Sequence, residues 1–223
     1  IEYLDIATLS YALSSFNQNY TLANKDNLRT ENFKNLFETL SKFSEAILAN
    51  SLKSIFENNL IDDILKTIKS IEETQTFLKD ANLLEDVKKH LLKIKELSNQ
   101  DDYKKYFDIA KILLKRGYIL NSITILNEAL PLYLHKKFDE LYILHTEAKN
   151  TSYNTLKSIT DFLKTEEPIK KLFVEDKVNN SFYCANYEVF NSIYFIYEEL
   201  KTIRNDLAHA NGEKTYENIK NQI

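Results

Sequence analysis

An arginine and a histidine separated by four residues end a strongly periodic helical segment near the carboxyl end of the chain. They are Arg204 and His209, and Asn205 follows the arginine directly. A guanidinium can hold phosphate oxygens in a fixed fork, and an imidazole can move a proton at neutral pH. Together these groups can cleave RNA without a metal ion. We therefore take the pair as the candidate catalytic centre.

The helix that carries this pair determines how the two side chains can meet. At 100° per residue, Arg204 lies about 40° from an apolar seam centred on Leu200 and Leu207, and His209 lies about 180° from it. The two side chains then diverge by about 140°, too far for a compact pair within one regular helix. Two arrangements remain: the helix unwinds near Ala208, or two copies of the chain combine their motifs in one cleft.

Composition predicts the fold class. Two glycines and two prolines among 223 residues, with 43% hydrophobic side chains, are typical of an all-α protein, and we expect a multi-helix bundle. The net charge of −4 argues against a general nucleic-acid coat protein but allows a local basic groove. The single cysteine, Cys184, excludes an internal disulfide and a cysteine-based zinc site. We expect no metal and no cofactor.

The sequence also suggests where the protein resides. No apolar run approaches the roughly 18 residues that a membrane span needs, and no signal peptide opens the chain. The chain begins at Ile1 and lacks methionine, so we expect it to be the ordered part of a longer protein. The expected location is the cytoplasm.

The periodicity predicts a series of helices. Helices are expected over about 1–16, from Phe33 to Ile47, in two or three segments over 52–98, before and after Gly117, and over about 137–164 and 186–210. Gly117 is expected to be a left-handed C-cap, and Pro131 to kink or end the helix that contains it. The polar run 98–102 predicts a boundary between residues 1–100 and 101–223.

Two segments carry a resemblance to a known family. The last helix has Arg204-Asn205 followed by Ala208-His209, and a turn at Gly117-Tyr118-Ile119 leads into a helix containing Glu128-Ala129-Leu130. These segments, in this order, resemble those of HEPN-domain ribonucleases, and most of all the HEPN part of type III CRISPR-associated CARF–HEPN proteins. Ser122 stands where that family favours alanine.

The resemblance covers about residues 103–223 and implies a specific activity. It implies a HEPN-like nuclease domain over 101–223, with 1–100 as a helical linker or insertion. Such domains dimerise and cut single-stranded RNA without metal, through attack by the ribose 2′-hydroxyl on the adjacent phosphate. The resemblance implies that Arg204 stabilises negative charge on the phosphoryl oxygens and that His209 is the acid–base or proton-positioning group. Asn205 is then expected to orient the histidine or the phosphate. Activation by cyclic oligoadenylate is expected only through a sensor domain outside this chain.

Other residues and other functions stay open. Lys201 and Lys214 flank the motif and are candidate RNA contacts, as is Tyr187, although each is also typical of an ordinary helical surface. Glu128 either lines the cleft or is a surface glutamate. Arg204 and His209 can also serve only as a cation and a cap at a helix C-terminus. The alternative functions are a helical-repeat scaffold for a protein partner and a HEPN toxin of a toxin–antitoxin pair.

Overall fold

Periodic apolar residues and scarce helix breakers produce a helical structure. The computed structural model describes residues 3–22, 28–75, 82, 84–140 and 187–208, and no β-strand occurs within these ranges. Its helices are α1 Tyr3–Asn19, α2 Glu31–Leu48, α3 Leu52–Phe56, α4 Leu60–Thr74, α5 Glu85–Glu96, a 3-10 helix Leu97–Asn99, α6 Asp102–Lys115, α7 Ile119–Glu140 and α8 Tyr187–Ala208. The predicted all-α fold class is confirmed. None of these helices is long and apolar enough to cross a membrane.

The chain divides into two compact units, residues 1–100 and 101–223. The break follows the 3-10 helix and precedes α6, whose N-cap position is Asp101. It therefore lies in the polar run 98–102, where few apolar side chains favour burial. Unit 1 contains α1–α5, and unit 2 contains α6–α8.

Aromatic rings fill part of the core of unit 1. The rings of Phe16, Tyr20 and Phe43 lie with their centroids 5.5 to 5.8 Å apart, and all three are buried. The Tyr20 hydroxyl and Nε2 of His90 on α5 are 2.7 Å apart and share a hydrogen bond. This bond satisfies the polar end of a buried tyrosine, which otherwise costs free energy on burial. His90 is thus a structural partner of the core.

A buried carboxylate joins α1 to the start of α2. Asp5 is 1% exposed; its Oδ1 accepts the Arg29 N–H at 3.2 Å, and its Oδ2 accepts the Thr30 N–H at 3.0 Å and the Thr30 hydroxyl at 2.6 Å. Thr30 is the N-cap residue of α2. The hydrogen bond from the Thr30 hydroxyl is the largest cause that lowers the pKa of Asp5, and burial opposes it. A negative group at this position also complements the helix dipole.

Unit 2 is built on the helical hairpin of α6 and α7. Gly117, with φ of 82°, ends α6 in a Schellman motif, in which the Gly117 N–H donates to the Leu114 carbonyl and the Tyr118 N–H to the Leu113 carbonyl. Only glycine adopts this φ without a steric cost. The hydroxyl of Ser122, which is fully buried, donates to the Ala110 carbonyl at 2.8 Å. A serine is therefore accommodated where the resembling family favours alanine.

Most helices that the sequence predicts are present, within a few residues of the expected ends. The predicted apolar stripe of α2 is buried throughout, and the predicted C-cap at Gly117 is confirmed. Helix α7 continues through Pro131, so of the two effects expected of this proline, the end of the helix does not occur. The helix expected over 137–164 lies outside the described residues beyond Glu140.

Three large apolar side chains that fit the helical spacing of their segments are exposed. Leu4, Phe107 and Ile196 have exposed fractions of 57%, 47% and 51%. Periodicity identifies the apolar side of a helix, but the neighbouring helices decide which part of that side is covered. Of the two leucines on which the predicted seam of α8 is centred, Leu200 is buried and Leu207 is partly buried, and Ile203 is buried beside them.

We predict that Asp5→Ala lowers the free energy of unfolding of unit 1 by about 3 kcal/mol, because two backbone N–H groups and a hydroxyl lose a charged acceptor. Glu38→Ala, which removes an exposed carboxylate from α2, is the control and changes stability little. Urea denaturation followed by circular dichroism measures both.

We also predict that the stability contributed by the Asp5 carboxylate depends on pH. Because the pKa of Asp5 is lower in the folded state, its contribution is complete above the unfolded pKa of about 3.9 and is lost as the pH falls through the folded pKa. Asp5→Ala is therefore expected to reduce the loss of stability below about pH 4. An unchanged acid transition would contradict this role.

Candidate active site

Packing against α7 fixes the carboxyl-terminal half of α8. Leu200 and Ile203 are buried in one cluster with Ile119 and Ile123 of α7. Leu207 is partly buried against the same cluster. Burial of each large aliphatic side chain contributes roughly 1.5–3 kcal/mol. The cluster therefore holds the last turns of α8 on the hairpin.

Arg204 lies at the edge of this packed surface. It follows the buried Ile203 directly, and its side chain is half-buried, as the sequence predicts. Its Nη2 donates a hydrogen bond to Oδ1 of Asn205 at 3.1 Å. Within the described part of the chain this is the one hydrogen bond that the guanidinium of Arg204 forms. A guanidinium has five N–H donors, so the bond leaves several of them for an anion.

Asn205 is exposed and gives the guanidinium a preferred direction. Its amide oxygen takes one N–H of Arg204, and its amide nitrogen can still donate to a ligand. The two side chains together present N–H groups from both a charged and a neutral source. This arrangement is suited to binding the oxygens of a phosphodiester. The amide assignment follows from the hydrogen bond, since the Asn205 oxygen accepts.

The charge of Arg204 reaches a carboxyl group on α7. Glu128 is half-buried, and burial is the largest effect on its pKa, raising it above the ordinary value. The positive charge of Arg204 acts in the opposite direction and lowers it, but less strongly. Burial therefore destabilises the ionised form of Glu128 in the folded state, and the charge of Arg204 offsets part of this effect. Glu128 is thus electrostatically coupled to Arg204, and a position lining the cleft stays a prediction.

The structure describes only part of the remaining predicted site residues. Lys201 is half-buried and forms an ion pair with Glu198 one turn earlier, at 3.4 Å. Tyr187 is the first residue of α8, and its side chain is outside the described part. His209 and Lys214 lie outside the described residues. The structure thus brings Arg204 and Asn205 together, and the position of the histidine stays a prediction.

The described residues contain no group of three or more histidine, cysteine, aspartate or glutamate side chains arranged to hold a metal ion.

Comparison of the chain with protein-family models, with curated proteins and with solved structures finds no match.

We predict that Glu128→Gln stabilises the protein at pH 7, because it removes a carboxylate whose ionisation burial opposes. The rise in Tm is expected to be no more than about 2 °C, because solvent screens the half-exposed carboxylate. The sign follows from the raised folded pKa: the stability associated with protonated Glu128 is complete below the unfolded pKa, near 4.5, and is lost as the pH rises through the folded pKa.

Thermal unfolding at pH 7 and at pH 4 tests this expectation. The benefit of Glu128→Gln should shrink toward pH 4, where the wild-type carboxyl is already protonated. It should grow at pH 7 in an Arg204→Ala background, since the attraction that offsets burial is then absent. A loss of stability at pH 7 in both backgrounds would show that the carboxylate is favourable.

Proposed function

We propose that this protein is a metal-independent endoribonuclease that cleaves single-stranded RNA at a HEPN-like site containing Arg204, Asn205 and His209. The observation that carries the proposal is the half-buried Arg204, held at the edge of the packing between α7 and α8 with its guanidinium bonded to Asn205. An arginine held by a rigid element, with N–H donors to spare, can bind a phosphodiester in a fixed orientation.

The proposed reaction is an internal transesterification. The ribose 2′-oxygen attacks the adjacent phosphorus, a base accepts the 2′-hydroxyl proton, and the bond from phosphorus to the 5′-oxygen breaks. The leaving oxygen receives a proton, so the products are a 2′,3′-cyclic phosphate and a 5′-hydroxyl. Negative charge builds on the nonbridging oxygens, where the Arg204 guanidinium stabilises it. His209 supplies or positions a proton, since imidazole titrates near neutral pH.

The proposed active form is a homodimer. Helix α8 continues as an α-helix to Ala208, one residue before His209. If helical geometry extended by that one residue, Arg204 and His209 of one chain would point about 140° apart. A composite site, in which two chains face each other, would supply both groups to one phosphate. We further propose that cyclic oligoadenylate regulates the enzyme through a sensor domain outside these 223 residues.

We predict that Arg204→Ala lowers the rate of RNA cleavage by about 10²–10³-fold and His209→Ala by about 10²–10⁴-fold. Both variants should stay folded, because neither removes an apolar group from the core. The assay follows a fluorescent single-stranded RNA with EDTA present, and analysis of the ends should find 2′,3′-cyclic phosphate.

Thr202→Ala is the matched control in the same helix. The Thr202 hydroxyl is exposed and donates back to the Glu198 carbonyl of its own helix at 2.9 Å, so its removal should leave cleavage unchanged. If both Arg204→Ala and His209→Ala cut as fast as the wild type, the assignment of the nuclease to this motif is wrong. If the chain is inactive, the same assay on the full-length protein with cyclic oligoadenylate tests the regulatory proposal.

A further inference from the structure

Helix α6 carries aromatic rings and lysines on one side. Tyr103, Lys104, Phe107 and Lys111 are spaced so that, at 100° per residue, all four lie within a sector of about 100°. Nζ of Lys111 lies 4.2 Å from the centroid of the Phe107 ring, and Nζ of Lys104 lies 5.6 Å from that of Tyr103. The 47% exposed Phe107 is thus accompanied by a charged group.

Helix α7 extends the same surface. The Tyr133 ring meets the Tyr103 ring edge-to-face, with centroids 5.3 Å apart, and Nζ of Lys137 lies 5.8 Å from the centroid of Tyr133. We call this surface the aromatic–lysine face, and it consists of Tyr103, Lys104, Phe107, Lys111, Tyr133 and Lys137. It lies entirely in unit 2, the unit that also contains Arg204.

The lysines of this face are not isolated charges. Nζ of Lys104 lies 3.3 Å from Asp101, and Nζ of Lys111 lies 3.9 Å from Asp108. Both lysines are more than half exposed, so water screens these pairs and they open readily. An anion that approaches the face therefore competes with two carboxylates for the ammonium groups.

We propose that the aromatic–lysine face binds single-stranded RNA, with a base stacked on the exposed Phe107 ring and phosphates bound by Lys104, Lys111 and Lys137. Rings beside lysines suit this ligand because bases stack on aromatic side chains while ammonium groups neutralise the backbone. An acidic peptide would use the lysines but has no need of the exposed ring. This inference rests on the proposed function in one respect, namely that the bound RNA is the substrate of the nuclease.

The test measures binding of a fluorescent 2′-O-methyl single-stranded RNA to the full chain by anisotropy. This RNA lacks the attacking hydroxyl, so binding is measured without cleavage. Phe107→Ala is expected to weaken binding about tenfold through loss of stacking. The triple variant Lys104→Gln, Lys111→Gln and Lys137→Gln is expected to reduce the slope of log K against log salt by about two, since each phosphate contact contributes about 0.7.

Matched variants separate this role from a general effect on the surface. Tyr11→Ala removes an exposed aromatic ring of α1, and Lys69→Gln removes an exposed lysine that pairs with Glu73, so both should bind like the wild type. Asp108→Asn should strengthen binding about two- to threefold, because it frees Lys111 from a competing carboxylate. A gain of affinity cannot come from a variant that fails to fold.

Each result decides for or against the proposal. Absence of RNA binding by the wild type overturns it, as does unchanged binding by both Phe107→Ala and the triple variant. Equal affinity for duplex RNA, or a loss of affinity in Asp108→Asn, also overturns it. RNA binding through the face by a chain that never cuts RNA would reject the proposed nuclease alone. Cleavage with binding independent of the face would reject this inference alone.

Discussion

The packing of α8 on α7 is the constraint on which the candidate site depends. Leu200 and Ile203 are buried against Ile119 and Ile123, and Arg204 follows in the next position. This apolar contact therefore positions the helical turn that carries Arg204, although the guanidinium itself is not part of the contact. Its direction is refined by the hydrogen bond to Asn205, but that bond joins neighbours in sequence and alone could not fix the pair in space. Without this contact Arg204 would be more flexible, and ordering it would lower the free energy available for the proposed binding of a phosphate.

The turn before α7 supports the same contact from the other side. Gly117 in its left-handed conformation lets α7 start immediately after α6, which places Ile119 beside the end of the preceding helix, where Leu114 packs on the shared cluster. A residue with a Cβ there would strain the turn by roughly 1–2 kcal/mol. One of only two glycines in the chain is thus used where backbone geometry requires it.

The sequence predicts the helices of this protein better than it predicts their surroundings. Because glycine and proline are scarce in this chain, each one is a strong signal for a helix end, and the sequence alone predicts the helix end at Gly117. Which apolar side chains are buried is harder to predict, because burial depends on contacts with helices that are distant in sequence. Phe107 and Ile196 fit an apolar period yet are exposed. At the candidate site, sequence identifies Arg204 by its type and spacing, whereas the effect of its charge on Glu128, 76 positions earlier, appears only when α7 and α8 pack.

The distribution of charge is compatible with the proposed binding of an anionic ligand by an acidic chain. Several lysines of unit 2 pair with a carboxylate one turn earlier in the same helix, as Lys104 does with Asp101 and Lys201 with Glu198. The opposite charges of such a pair cancel at long range. The pairs therefore create little long-range attraction for nucleic acid and limit nonspecific binding. At close range each exposed pair opens at low cost, and the lysine becomes available to a phosphate. Arg204 differs, because within the described residues its charge faces half-buried Glu128 at a distance and no carboxylate in ion-pair contact. Of the two cations of α8, Arg204 is therefore less compensated than Lys201, which supports its proposed role at a phosphate.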